Sequence, residues 1–434
     1  MLSFFYNLLY GLAALVGWPW LIWRRIRRGP GSLALGERFG HVPPRPVSAH
    51  CIWIHGVSLG EINATRTLVS TIHRRSPATT VVVSSTTRTG LDRARELFPR
   101  LVVFRFPLDF SWMIRRTLRA VRPSVIVLME LEVWPNLIEV ATRAGIPVVI
   151  ANGRITSERS MRNFQRPVLR SVAGRMFRQL RWVGAQDETY AERFRALGVP
   201  GDRVEVSGSL KYDSAEVSDF IEGQDKLATE LTLDPRRPIW VCGSTGPGEE
   251  AILLDAYSRL VQRHAGLQLV LVPRKPERFA EVSDLVVARG FACLHRSGKP
   301  PRVPPTVAEP VAVFLGDTMG ELRKFYSLAS IVFVGRTLVP MGGSDLMEVA
   351  ALAKPILVGP HTENFAEAAA LLRSAGAVRV VGDAGALEAG VDELLRDAEI
   401  RRRMGDAGRA AVVSRQGATE RTVDVLFRAA KISD

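Results

Sequence analysis

Short runs of apolar and β-branched residues alternate along this chain with longer stretches in which apolar positions recur at helical spacing. From residue 51 to about 212 the runs are Cys51–Ile54, Thr80–Ser84, Leu101–Phe104, Ser124–Met129, Pro147–Ile150 and Trp182–Gly184. A polar stretch from Asp213 to Asp234 separates them from a second series: Pro238–Cys242, Leu267–Val272, Ala312–Leu315, Ile331–Val334, Pro355–Val358 and Val378–Val381. Strands apolar on both faces and separated by helices build parallel sheets covered on both sides. The pattern predicts an α/β chain of two doubly wound domains facing one another, with a ligand cleft between them. No short-period repeat interrupts it, and Pro300 to Pro310 reads as a proline-rich loop.

The first residues follow a different pattern. Met1 to Trp23 carry no charged side chain, and Arg24, Arg25, Arg27 and Arg28 follow at once. About 20 apolar residues cross a bilayer. A cleavable signal peptide carries its charge before the apolar run, so charge after it fits an uncleaved anchor, spanning or in-plane. Arginines stay on the cytoplasmic side, which predicts a cytoplasmic body, with Trp18, Trp20 and Trp23 at the headgroup boundary.

Length and composition support this division. A chain of 434 residues fits two ordinary domains plus an appendage. The three cysteines, Cys51, Cys242 and Cys293, sit in or beside apolar runs without paired spacing, as packed reduced thiols do. A net charge of +14 suits a surface lying against anionic lipid. Nucleic acid is the competing partner for so basic a chain, but no recognised binding motif is present, and none is expected to bind.

Candidate chemistry gathers where strands break into turns. After Cys51–Ile54, the turn His55-Gly56-Val57-Ser58-Leu59-Gly60-Glu61 delivers a carboxylate to a strand's carboxyl end, where ligands collect in open α/β sheets. Ser58-x-x-Glu61 is equally a capping box, and sequence leaves both readings open. In the second half, Gly243-Ser244-Thr245-Gly246-Pro247-Gly248-Glu249-Glu250 presents amides at a helix start, as phosphate binding requires. It lacks the Gly-Lys-Ser/Thr ending of a P-loop, which argues against nucleotide triphosphatase activity. Gly316-Asp317-Thr318-Met319-Gly320-Glu321 repeats the design, with Thr318-x-x-Glu321 again a possible cap. Pro340 to Glu348 adds paired glycines and a carboxylate suited to ligand hydroxyls.

At these residues the chain resembles the Kdo transferases, the 3-deoxy-D-manno-octulosonic acid transferases of lipopolysaccharide assembly. The resemblance runs in order through Trp53 to Glu61, Ser85-Thr86-Thr87-Arg88-Thr89-Gly90, Pro107-Leu108-Asp109 and Glu130-Leu131-Glu132-Val133-Trp134-Pro135-Asn136. It continues through Asn152-Gly153-Arg154 with Ser160, Gly208 to Asp213, Gly243-Ser244-Thr245 and Pro273 to Phe279, then Gly316 to Leu322, Gly342 to Glu348 and Gly359 to Phe365. It implies the GT-B architecture of two Rossmann-like domains, divided here as a 1–30 membrane anchor, a 31–212 acceptor-binding domain and a 213–434 nucleotide-sugar domain. It also implies inverting transfer of Kdo from CMP-Kdo to a lipid A precursor at the cytoplasmic face of the inner membrane, without metal or cofactor.

By the same resemblance, Glu61 is the general base. Ser58, Gly60, Glu130, Glu132, Arg154 and Lys211 meet the acceptor or Kdo, and Ser244, Thr245, Arg274, Met319, Gly320, Glu321 and Glu348 hold the CMP moiety. The chain departs from the family pattern where Ser344-Asp345 replaces His-Asn after the paired glycines, where Lys275 replaces histidine, and where Ser209 replaces asparagine. Asp345 puts negative charge near an anionic donor and places donor identity in question. The alternatives are another GT-B enzyme, such as a nucleotide-sugar epimerase or a transferase with a different sugar or lipid, or a non-catalytic membrane-bound lipid-binding protein.

Overall fold

The structure is a computed structural model that describes residues 6–7, 10–11, 35–46, 48–156, 161, 164, 167–305 and 311–433. The expected anchor, 1–30, lies outside the described residues except at positions 6, 7, 10 and 11, as do Ser160 and positions 306–310 of the proline-rich loop. Among the described residues no helix is long and apolar enough to cross a membrane.

The chain divides into two compact units, Met1–Ser214 with Arg415–Asp434, and Ala215–Ser414. The first contains strands β1 Cys51–His55, β2 Thr80–Ser85, β3 Val102–Arg105, β4 Val125–Met129, β5 Val148–Gly153, β6 Trp182–Ala185 and β7 Val204–Val206. All pair in parallel, in the order β3-β2-β1-β4-β5-β6-β7. The chain order reverses between β1 and β4, so the loops leaving these two strands flank the crevice in which doubly wound sheets bind ligands. Both strands are buried along their whole length, which is why each reads as an unbroken apolar run.

The second unit contains β8 Ile239–Thr245, β9 Gln268–Pro273, β10 Ala292–His295, β11 Ala312–Leu315, β12 Ile331–Val334, β13 Ile356–Val358 and β14 Val378–Val380. Their order is β10-β11-β9-β8-β12-β13-β14, again all parallel, with the reversal between β8 and β12. The carboxyl end of β8, with Ser244 and Thr245, and the segment that leads from β12 to the helix containing Glu348 therefore flank this unit's switch point.

The domain boundary expected at 212/213, with the second domain running to 434, is corrected at the carboxyl end. The helix Ala418–Ala430 buries Val423, Leu426 and Phe427 in the core that contains Ile52, Ile54 and Leu68 of the first unit. Asp213 accepts the Gly417 amide at 2.7 Å, and Glu420 and Asp424 pair with Arg74 and Arg75. Its apolar face is therefore satisfied by the first sheet, and 415–434 belongs there.

Candidate active site

The Glu61 turn is fixed from both sides. Strand β1 ends at His55, and Ser58 caps the helix Leu59–Arg75 with extended backbone. The Ser58 hydroxyl accepts the Glu61 amide at 3.2 Å, while Glu61 accepts the amides of Val57 at 2.9 Å and Ser58 at 3.2 Å. The capping box is thus formed in full. It uses two of the roughly four acceptor positions of a carboxylate, leaving capacity for a ligand proton. The next strand braces the turn, because the Ser85 and Thr87 hydroxyls both donate to the Val57 carbonyl, at 3.1 and 2.5 Å. A Cβ at position 90 would stand 2.8 Å from that carbonyl oxygen, so Gly90 is required by the close approach.

Glu130 and Glu132 leave β4 on the other side of the crevice. Glu130 holds φ at 57°, a left-handed conformation costing roughly 1–3 kcal/mol for a residue with a side chain. Arg154 donates to its carboxylate at 2.7 Å. Burial raises the proton affinity of Glu130, Arg154 lowers it, and the charges of Glu61 and Lys211 act in opposite senses. Glu132 is pushed up to about 7, by burial first and then by the charges of Glu61 and Glu130. Glu61, Glu130, Glu132, Arg154 and Lys211 thus form one electrostatic group. Gly60 lies in the first turn beside Glu61.

Residues that sequence reasoning passed over complete this wall. His55 is fully buried and kept neutral, its pKa pushed down to about 3 by burial. Its Nδ1 lies 2.9 Å from the Ser84 hydroxyl, and its ring stacks on Phe106 with centroids 4.1 Å apart. Asp109 caps the helix Pro135–Arg143 from another loop, accepting the amides of Asn136 at 2.9 Å and Leu137 at 2.8 Å. The paired motifs Pro107-Leu108-Asp109 and Trp134-Pro135-Asn136 were the signal, since Trp134 supplies no side-chain cap of its own.

In the second unit the Gly243–Glu250 turn already holds an anion. Glu249 is fully buried and accepts the amides of Gly246 at 2.9 Å, Thr337 at 2.8 Å and Leu338 at 2.9 Å, as well as that of Arg336. The phosphate recipe read from sequence is therefore used, at Gly246, by the chain's own carboxylate. Ser244 holds φ at 55°, and Thr245 is buried with its hydroxyl unpartnered among the described residues, as is Ser344. Arg274 is exposed just beyond β9. Burial and Asp345 raise the Glu348 carboxyl, whereas Arg323 and Arg274 lower it, which places these groups within one field. Lys275 is exposed beside Arg274.

The Glu321 carboxylate is engaged by its neighbours in the second unit. It accepts both arms of Arg296 at 2.9 and 3.1 Å, the Thr318 hydroxyl at 2.7 Å and Lys324 at 3.2 Å. These bonds outweigh burial and hold its pKa at about 2. The side chain shapes the turn, while Met319 is 60% exposed and Gly320, with φ at 82°, has open space on its Cβ side.

Comparison with known proteins follows the same lines. Residues 34–214 match the family described as 3-Deoxy-D-manno-octulosonic-acid transferase (kdotransferase). The chain is 35% identical to a 3-deoxy-D-manno-octulosonic acid transferase of Haemophilus influenzae, over 86% of each chain. It is 34% identical to one from Bordetella pertussis, over 87% of each. Among solved structures, UDP-GlcNAc 2-epimerase from Neisseria meningitidis bound to UDP-GlcNAc is similar in fold, with a TM-score of 0.52, 15% identity, and coverage of 87% of this chain and 100% of that one. At that identity the last likeness concerns architecture alone, whereas the first two extend along nearly the whole sequence: the chain belongs to the 3-deoxy-D-manno-octulosonic acid transferases, a family of glycosyltransferases.

Proposed function

We propose that this transferase takes Kdo from CMP-Kdo and attaches it, with inversion, to a lipid A precursor at the cytoplasmic face of the inner membrane, with Glu61 as general base. The acceptor hydroxyl oxygen forms the new bond to the anomeric carbon as the bond from that carbon to the CMP phosphate oxygen breaks. The electron pair leaves with CMP, and the hydroxyl proton passes to the Glu61 carboxylate. No metal or cofactor enters these steps.

The observation carrying this reading is the capped Glu61 carboxylate at the switch point of the first sheet, within the field of Glu130, Glu132, Arg154 and Lys211. The cationic pair Arg154 and Lys211 suits the acceptor phosphate or the Kdo carboxylate. Arg274 is assigned to the departing phosphate, as a planar guanidinium fits a developing dianion. Glu348 and the hydroxyls of Ser244 and Thr245 are assigned to the nucleotide's sugar and phosphate, and the Met319-Gly320-Glu321 turn to its base through the main chain. The uncharged segment before Arg24 is assigned to membrane anchoring.

The deciding experiment incubates purified protein with CMP-Kdo and a tetra-acylated lipid A precursor and reads products by mass spectrometry. Mass increments of one or more Kdo units are expected; an unchanged acceptor overturns the assignment.

A further inference from the structure

The helix Ser111–Val121 presents an outer stripe of one tryptophan and three arginines. Trp112, Arg115, Arg116 and Arg119 recur at the spacing that places side chains on one helical face, and all four are exposed. The opposite side buries Met113, Ile114, Thr117, Leu118 and Val121 in the first unit. No acidic residue occurs in this helix. Two further apolar side chains extend the stripe. Phe39, 37% exposed, stacks on Trp112 at 6.1 Å between centroids, and Leu108, 38% exposed, follows the turn through the bond from its amide to the Arg38 carbonyl. The Arg116 guanidinium lies 5.8 Å from the Trp112 ring.

We propose that this face, Phe39, Leu108, Trp112, Arg115, Arg116 and Arg119, docks on an anionic lipid bilayer. The inference rests on the membrane reading above and assigns a second surface to it. Three arguments favour lipid as the occupant. Tryptophan and arginine each pair an apolar body with a polar tip, the chemistry of the headgroup boundary. The stripe is uniformly cationic, complementary to acidic headgroups. It is also continuous with the uncharged amino-terminal segment. Asn7 donates to the Ser111 hydroxyl at 2.8 Å and accepts the Ser111 amide at 3.1 Å, and Tyr10 packs on Phe110 at 5.9 Å. Two lipid-seeking elements therefore meet at the first turn of one helix.

The test uses full-length protein, without substrates, and vesicles of phosphatidylethanolamine with or without phosphatidylglycerol. One variant combines Trp112→Ser, Arg115→Gln, Arg116→Gln and Arg119→Gln, all outside the assigned active site. An arginine near an anionic surface contributes roughly fivefold in partitioning, so the variant is expected to lose on the order of a hundredfold on phosphatidylglycerol vesicles. Added salt should produce a similar loss in the parent. Parent-like partitioning of a folded variant overturns the proposal.

A second measurement keeps the question open to decision if that variant misfolds. The native cysteines are buried, so Arg115→Cys accepts a single environment-sensitive dye, and Arg402→Cys on the second unit is the control. A blue shift on phosphatidylglycerol vesicles at position 115 but not at 402 supports docking. No shift with vesicles, or a shift only with polyglutamate, overturns it, the latter in favour of an acidic protein partner. Because binding is read without donor or acceptor, absence of Kdo transfer would leave this result standing, and loss of docking would leave the transfer assay in detergent intact.

Discussion

Glu132 lies within the field of Glu61: burial, and then the Glu61 charge, lift the Glu132 carboxyl from its usual 4.5 to about 7. An acid with a raised folded-state pKa binds more protons folded than unfolded. Its ionisation therefore erodes stability as pH rises from about 4.5 to about 7, with no further change above. Replacing Glu132 by Gln should remove that erosion. The variant is expected to match the parent in melting temperature below pH 4.5 and to exceed it by a few degrees above pH 7. A difference independent of pH would refute the electrostatic account.

Glu61→Gln tests the base and the cap together. Glutamine keeps one acceptor oxygen for the Val57 or Ser58 amide but turns an NH2 toward the other, a loss of about 1 kcal/mol typical of a weakened cap. The protein should fold, while transfer falls by roughly 10²–10⁴-fold, the usual contribution of a positioned base. Removing the negative charge should also lower the Glu132 pKa below its parent value, readable by carbon-13 NMR of the side-chain carboxyl. Near-parent rates would reject the base assignment, and an unmoved Glu132 would reject the shared field.

Much of this architecture is legible because parallel strands are buried on both faces and so write themselves as apolar runs. The exceptions are physical. Val204–Val206 and Ala292–His295 are edge strands, short and partly exposed, and the first carries Glu205; neither sheds enough polarity to stand out. The last helix shows an amphipathic face, but such a face says that something is buried and not against which sheet. At the site, turn motifs locate Glu61, Glu321 and Glu348, whereas partnership does not follow from spacing. Nothing in the order of residues joins Arg296 to Glu321 or His55 to Phe106. The anion-binding turn at Gly246 was recognisable as a cradle, yet the closest anion, Glu249, was part of the same motif.

The Arg296 fork on Glu321 predicts a loss of nucleotide affinity without contact to nucleotide. Arg296 also reaches Glu230 at 2.6 Å, so it ties the turn proposed for the donor to the helix Gln224–Glu230. Arg296→Gln should release the turn and weaken CMP binding by about tenfold, equivalent to ~1.4 kcal/mol. Arg296→Lys, with one charge but no fork, should recover only part of it. Calorimetric titration with CMP measures both. Unchanged affinity in Arg296→Gln would mean that the turn holds its shape without this clamp.

Glu249 supports the heaviest prediction for the second unit. Its two oxygens satisfy four amides, one from the turn after β8 and three from the segment after β12. A buried amide left without a partner costs about 1–3 kcal/mol, and removal of the carboxylate strands several at once. Glu249→Ala is therefore expected to lose about 3 kcal/mol or more, and Glu249→Gln nearly as much, because its NH2 faces donors. The loss should begin locally, so hydrogen exchange should show the Thr337 and Leu338 amides deprotected in Glu249→Gln while strands of the first unit keep their parent protection. The segment after β12 leads to Glu348, which is assigned to the donor, so CMP affinity should fall with that protection. Intact protection at these two amides would show that the segment is held by other bonds, and the carboxylate would then have to be reassigned.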